Sequence, residues 1–302
     1  MKSPNFKDYL LLIRLPNLFT LPSNILVGFA IASALTLALT FTSFVQVLML
    51  VTISISLYCV GLVLNDLFDY NIDKKERPDR PLASGKISRK VAIVLVTIFS
   101  VIALSLSLLV SVPTFGISLV LIALIFGYDK YLKNTQAGPF TIAAARVMNV
   151  MLGTSAGFNN IDSFPQFVIL VFVLTITFVY VSLVGFISKY EVQGFSENIK
   201  LYLIPVIIAG IISSIISFTF IGFFKYESLI ILVLFLFIMA KAVYRIQKKN
   251  SIGIQQCIQK MIMSIIVLDS TYLSGIRGLE VGLAVLLLIA PLLILSRKMY
   301  MT

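Results

Sequence analysis

Asn65-Asp66-Leu67-Phe68-Asp69-Tyr70-Asn71-Ile72-Asp73 puts four oxygen-bearing ligand side chains at the end of a long apolar run. At about 100° per residue, Asn65, Asp66, Asp69 and Asp73 fall within an arc of roughly 100° on one helical face, over about 12 Å of axis. Carboxylates at a membrane-helix end are costly, and three on one face repel one another. A cation is expected among them, and all-oxygen ligands favour Mg²⁺. The chain continues Lys74-Lys75-Glu76-Arg77-Pro78-Asp79-Arg80-Pro81-Leu82-Ala83-Ser84-Gly85. The two prolines end the helix, and the loop brings Arg77 and Arg80 near the acidic face. Carboxylates that hold a metal, followed by guanidinium groups suited to phosphate oxygens, match a diphosphate bridged by Mg²⁺.

The elements that position these groups are membrane helices. Only 12% of the 302 residues are charged, against about 25% in soluble domains, and the mean hydropathy is +1.03. The net charge of +11 sits in short loops between apolar segments. Basic residues placed that way set topology and do not make a nucleic-acid surface. The chain has no His, which excludes imidazole acid–base chemistry and His-metal sites. Cys59 and Cys257 both lie inside apolar segments, so neither a disulfide framework nor a paired-cysteine metal site is expected. Lys2, Lys7 and an Ala32-Ser33-Ala34 sequence mimic a signal peptide, but Arg14, Pro16, Asn17 and Pro22 interrupt its apolar stretch. An uncleaved first helix is expected.

Ten apolar segments are long enough, or nearly so, to span: 16–38, 44–71, 88–111, 114–132, 139–157, 165–188, 199–222, 227–247, 254–275 and 278–296. The fourth and fifth are short, and the ninth is amphipathic. Alternate loops are basic: Lys2, Lys7 and Arg14; Lys74 through Lys90; Lys130 and Lys133; Lys189 and Lys200; Lys241 to Lys249; Arg297 and Lys298. The opposite loops carry only Lys225 and Arg277. The basic side is expected to be cytoplasmic, with both termini there, in a multi-pass protein of the cell membrane. No shift in composition divides residues 1–302, so one domain is expected.

The stretch NDLFDYNIDKKERPDRPLASG resembles the first aspartate-rich signature of the UbiA-type intramembrane prenyltransferases. The resemblance extends over most of the chain. Arg14-Leu15-Pro16-Asn17 is similar to the basic approach to the family's first helix. Tyr128, Lys130 and Lys133 stand where the family places a tyrosine and a basic residue after its fourth helix. Glu191 stands where its second aspartate-rich motif begins. There the pattern departs from DxxxD: position 195 is Phe, so the second carboxylate is Glu197 or none. This Glu-x-x-Gly form, with LPNLFTLPSN at 15–24 and RVMNVMLG at 146–153, resembles the divergent UbiA-like branch of bacterial ebo gene clusters. The implied fold is an all-α polytopic membrane protein, a bundle of nine transmembrane helices around a lateral cavity. Segment 278–296 would be a tenth helix.

The resemblance implies Mg²⁺-dependent transfer of a prenyl group from a prenyl diphosphate to a lipophilic or aromatic acceptor within the bilayer. Its metal ligands would be Asn65, Asp66, Asp69, Asp73, Glu191 and Glu197, with Asp66, Asp69, Asp73 and Glu191 serving catalysis. Substrate-binding candidates are Arg14, Asn17, Arg77, Arg80, Tyr128, Lys133, Arg146, Asn149 and Lys189. Aromatic faces at Tyr58, Tyr128, Tyr131 and Phe68 could shield an allylic cation. Three of these features also have simpler readings. Glu191 could be an interfacial acid paired with Lys189. Arg146, inside segment five, could bind a phosphate or pair with Asp269. Asp129 reads as an interfacial acid balancing Lys130. The alternative function is a non-catalytic protein that binds or helps move a prenylated or aromatic metabolite.

The charge pattern carries a topological prediction. In a background without Cys59 and Cys257, Lys225→Cys should react with an impermeant thiol reagent in intact cells. Lys86→Cys should react only after permeabilisation. The reverse pattern would invert the orientation.

Overall fold

The structure, a computed structural model, describes residues 5–33, 41–161, 163–191, 202–246 and 251–296. The described residues form helices joined by short turns. A short helix α1 (Phe6–Leu12) leads through a 3-10 turn (Leu15–Thr20) into α2 (Leu21–Ala32). Then come α3 (Phe41–Phe68), α4 (Tyr70–Glu76), α5 (Arg89–Val110), α6 (Val112–Gly127), α7 (Gly138–Thr154) and α8 (Phe164–Ser188). The last are α9 (Leu203–Phe220), α10 (Ser228–Ile246), α11 (Ser251–Arg277), α12 (Leu279–Leu286) and α13 (Ile289–Ser296).

Among the described residues, nine helical stretches are long and apolar enough to cross a membrane, the last being Leu279–Ser296, made of α12 and α13. All nine coincide with segments expected from hydropathy. The remaining expected segment, 139–157, is α7, only 17 residues long. The protein is an all-α, multi-pass membrane protein. Its outer helices present apolar side chains outward, as on α5, where Ile93, Val94 and Val101 are exposed. That is the arrangement lipid requires.

Two apolar clusters build the bundle. One joins α3, α5 and α6 through Leu50, Ile53, Leu57, Ala103 and Leu121. The other joins α8 to α12 through residues such as Val173, Phe235, Met261 and Val285. Helices α2 and α7 stand between them and contribute to both: Ile25 and Leu152 to the first, Val27 and Val150 to the second. Leu292 of α13 joins the second cluster, where Phe19 of the N-terminal turn also packs. The tenth segment is thus part of the bundle.

The contact between α2 and α7 depends on two glycines. A Cβ on Gly28 would lie 2.0 Å from the Val150 carbonyl oxygen, and one on Gly153 would lie 2.3 Å from that of Ile25. Bare backbones let membrane helices approach this closely, and the packing then rests on dispersion. Gly153→Leu should therefore lower the melting temperature of the purified protein, by the equivalent of about 1–3 kcal/mol or more. Gly116→Ala, with open space around its Cβ position, should leave it unchanged.

Candidate functional site

Helix α3 delivers the acidic motif, but not as one continuous face. The helix ends at Phe68, Asp69 has ψ 0°, and α4 begins at Tyr70. Backbone bonds continue on both sides of the break: Asp69 N–H donates to Asn65 at 2.9 Å, and Asp73 N–H to Asp69 at 2.8 Å. The single face expected from helical periodicity is therefore corrected to two oxygen pairs that straddle a bend. Each pair holds a cationic side chain.

The first pair is Asp66 with Asp73, both buried. Arg80 Nη1 lies 3.3 Å from Asp66 Oδ1 and 2.8 Å from Asp73 Oδ2. The loop that carries Arg80 is anchored by its own apolar residues. Leu82 and Ile87 are buried in a small cluster with Leu12, Val63 and Ala92. Pro81 accepts from Ile87 N–H at 3.0 Å, and Ser88 caps α5 by accepting from Val91 N–H. Arg14 approaches the same carboxylate, its Nη2 3.8 Å from Asp66 Oδ1. Its backbone is left-handed, at φ 43°, a strained conformation for a residue with a Cβ. That kink ends α1 and starts the 3-10 turn.

The second pair is Asn65 with Asp69. Lys133 Nζ donates to Asn65 Oδ1 at 2.6 Å and forms an ion pair with Asp69. Lys133 comes from beyond α6, where Tyr128–Leu132 winds as a π-helix and Lys133 N–H reaches back to Tyr128. Such π-turns re-aim side chains and recur at functional sites.

All of this opens on one cavity of about 780 Å³. Arg14, Asn17, Asn65, Asp69, Asp73, Arg77, Arg80, Tyr128, Lys133, Arg146, Asn149, Lys189 and Glu191 line it. Asp66 does not line the cavity and sits behind Arg80. Below the charged mouth the wall is apolar: Leu57, Gly61, Leu124, Ile125, Val181 and Ile262. The deep end turns polar again at Thr20, Ser54, Arg146 and Asn149.

Several sequence expectations are corrected. Among the described residues, no group of three or more acidic or cysteine side chains is placed to hold a metal ion. Glu191 lines the cavity, and Glu197 lies outside the described residues. Lys189 donates to the Thr135 carbonyl at 2.6 Å, and among the described residues no ion pair joins it to Glu191. Arg146 donates to Thr20 Oγ1 at 2.6 Å, and Asp269 accepts from Ser23 at 2.5 Å and Asn24 at 2.7 Å. No ion pair within 4.0 Å joins Arg146 to Asp269 among the described residues, although the two charges act on each other electrostatically. Asp129 lines the cavity, and Lys130 lies over the rings of Phe126 and Tyr131. Of the four aromatic candidates, Tyr58 and Tyr128 line the cavity, while Tyr131 and Phe68 are exposed.

Sequence reasoning missed Ser54 and Thr20, hidden in apolar runs. The available signal was spacing. Ser54, Tyr58, Gly61 and Asn65 recur at helical intervals on α3 and all face the cavity. On α4, Tyr70 packs outside the cavity against Arg89, whose guanidinium carbon lies 3.5 Å from the ring centroid. Its phenol pKa is lowered, first by a hydrogen bond from Lys74 and then by the charges of Lys74 and Arg89.

The bridging role of Arg80 is testable. Arg80→Gln takes the cation from buried Asp73 and leaves Asp66 only Arg14 at 3.8 Å, which should cost about 3–5 kcal/mol of stability. Combining it with Asp66→Asn and Asp73→Asn should recover most of the loss, read by thermal denaturation. An unchanged melting temperature in the single variant would count against the bridge.

Comparison with known proteins places this architecture. Digeranylgeranylglyceryl phosphate synthase of Sulfolobus acidocaldarius is 30% identical over 181 residues, 57% of this chain and 62% of that protein. The Saccharolobus solfataricus protein of the same name is 30% identical over 158 residues, 52% of this chain and 54% of that one. The matched stretches thus span less than two thirds of these relatives. A solved structure concerning digeranylgeranylglyceryl phosphate synthase in membranes superposes with a TM-score of 0.63 at 23% identity, covering 91% of this chain and 98% of its own. The apo structure of a UbiA homolog from Aeropyrum pernix K1 gives 0.50 at 14% identity, covering 93% and 98%. Both likenesses concern the fold. Residues 23–266, which include the acidic motif, its basic loop and most of the cavity lining, match the UbiA prenyltransferase family model, and the chain belongs to that family.

Proposed function

We propose that the protein transfers a prenyl group from a prenyl diphosphate to a lipophilic acceptor, in a cavity whose charged mouth faces the cytoplasm. One observation carries this reading: Asp69 and Asp73, the basic side chains and an apolar wall share a single cavity. The basic loops at the motif end support the orientation. The Glu191-x-x-Gly194 form and the RVMNVMLG stretch support placing the chain in the ebo-cluster branch.

The donor set fits Mg²⁺. Its groups are all oxygens, and a cationic side chain already stands on each pair. Asn65, Asp69 and Asp73, with Glu191 on the same cavity, would hold the ion, and Asp66 would act from behind through Arg80. When bound, Mg²⁺ would neutralise charge on the diphosphate as it leaves. Lys133 and Arg80 are within reach of both the carboxylates and the cavity, so they can pass from the acids to phosphate oxygens. Arg14, Arg77 and Lys189 surround the same space and add charge-assisted donors. The apolar wall receives the isoprenoid chain and keeps water from the developing allylic cation. The Tyr58 and Tyr128 rings offer that cation a π-face.

A second reading is binding without turnover. It draws on Phe195, which stands where the family's second motif has an acid. Purified protein incubated with labelled farnesyl or geranylgeranyl diphosphate, Mg²⁺ and an acceptor panel separates the two. Product formation that drops roughly a hundredfold or more in Asp69→Ala and Asp73→Ala is expected for the enzyme. Tight diphosphate binding with no turnover on any acceptor would favour the second reading. Failure to bind prenyl diphosphate would end both.

A further inference from the structure

A second recess lies on the outside of the bundle, between the motif end of α3, the start of α4 and the start of α5. Its volume is about 400 Å³, and Leu64, Leu67, Phe68, Tyr70, Arg89 and Ile93 line it. None of these residues lines the central cavity. Helix α3 reaches its motif end at Phe68, and α5 starts back into the bilayer at Arg89. Leu64 and Ile93 therefore lie about 6 Å deeper than Phe68 and Arg89, at 1.5 Å per residue. The recess is apolar at its deep end and basic at its shallow end. Phe68 and Ile93 are exposed on the outer face, so it opens on lipid.

The shallow end carries positive charge that no acid balances. Arg89 lies over the Tyr70 ring with its guanidinium carbon 3.5 Å from the centroid, and Lys74 Nζ lies 4.6 Å from the same centroid. Both cations also act on the Tyr70 phenol oxygen, through hydrogen bonding and charge. The two positive groups thus meet at one edge of one ring. Among the described residues, no carboxylate forms an ion pair with either. Basic residues close by are placed differently: Arg80 binds Asp66 and Asp73, and Lys86 pairs with Asp8 at 3.6 Å. A ring face attracts cations but has no net charge, so Tyr70 gathers these two without neutralising them. Two cations above an apolar trough that faces lipid match an amphiphile with a negative head. A soluble anion would have no use for the trough, and a neutral lipid none for the charges.

We infer that this recess seats one anionic phospholipid, with its phosphate on Lys74 and Arg89 and an acyl chain along Leu64, Leu67 and Ile93. On the orientation proposed above, the lipid belongs to the cytoplasmic leaflet, whose anionic lipids attract basic groups beside the membrane. The seat is separate from prenyl transfer and does not depend on it. Its position has a structural consequence. Lys74 belongs to α4, which also carries Asp73, and Arg89 begins α5. A phosphate shared by the two ties α4 to α5 and steadies the bend at Asp69 from outside.

Native mass spectrometry tests the seat on the detergent-purified full-length protein, offered equal amounts of phosphatidylglycerol and phosphatidylcholine with identical chains. One phosphatidylglycerol should be retained in preference by about tenfold or more, since each basic residue beside an anionic lipid contributes about a factor of five. The preference should largely vanish in Lys74→Gln combined with Arg89→Gln, and each single variant should fall between. Both side chains are exposed, so these variants should fold, which circular dichroism checks. Lys241→Gln combined with Arg245→Gln removes two basic residues from the same side of the membrane and should keep the preference. Glycerol 1-phosphate, a head without chains, should not displace the lipid. In nanodiscs, exchanging phosphatidylcholine for phosphatidylglycerol should raise the melting temperature of the wild type more than that of the Lys74→Gln, Arg89→Gln protein. Equal retention of the two lipids, displacement by glycerol 1-phosphate, or equal loss in the Lys241→Gln, Arg245→Gln control would overturn the seat. Equal rises in melting temperature would overturn the tie between α4 and α5.

Discussion

Charge balance inside an apolar bundle governs this structure. Asp66 and Asp73 are both buried, and a carboxylate there is tolerated only with a partner. Arg80 supplies it for both, at 3.3 and 2.8 Å, and the loop from α4 to α5 is folded so that it can. Asn65 and Asp69 are closed in the same way by Lys133 from beyond α6. Acids on α3, on α4 and at the bend between them thus fix the positions of two separate basic segments. The mouth of the cavity is assembled by these pairings, and the cations that complete it are the groups a diphosphate would recruit.

The rest of the bundle gives this mouth a chamber. Two apolar clusters meet along α2 and α7, and the cavity follows the seam between them. Because the α2–α7 contact is backbone on backbone, it admits almost no substitution at Gly28 or Gly153. The same contact holds the polar residues of the first helix against Arg146. A rigid crossing therefore serves two ends of one cavity, one built from carboxylates and cations and the other from Arg146 with hydroxyl and amide groups.

Much of this was legible in the residue order. The apolar runs marked every long helix, since in lipid the backbone must satisfy itself within each segment. Tyr128, Lys133 and Glu191 were found through the family resemblance of the segments that follow two helices, and all three line the cavity. Ser54 and Thr20 were not found, because a hydroxyl in an apolar run looks the same facing lipid, a neighbour or a cavity. Asp129 was misread for a related reason. Its sequence neighbour Lys130 suggested a local pair, but the π-turn sends Lys130 to aromatic rings and Asp129 to the cavity.

By itself the sequence determined which segments are membrane helices, that an acidic cluster lies at one helix end, and that basic residues follow it. These are consequences of composition and short-range spacing, which the chain carries wherever it folds. Tertiary structure decided who pairs with whom. Arg80 and Lys133 bind acids, Arg146 donates to a threonine, and Asn149 accepts from Ser54. Those choices depend on how far apart helices pack and where one residue bends a helix, distances of a few ångströms that hydrogen bonds and ion pairs resolve and hydropathy does not.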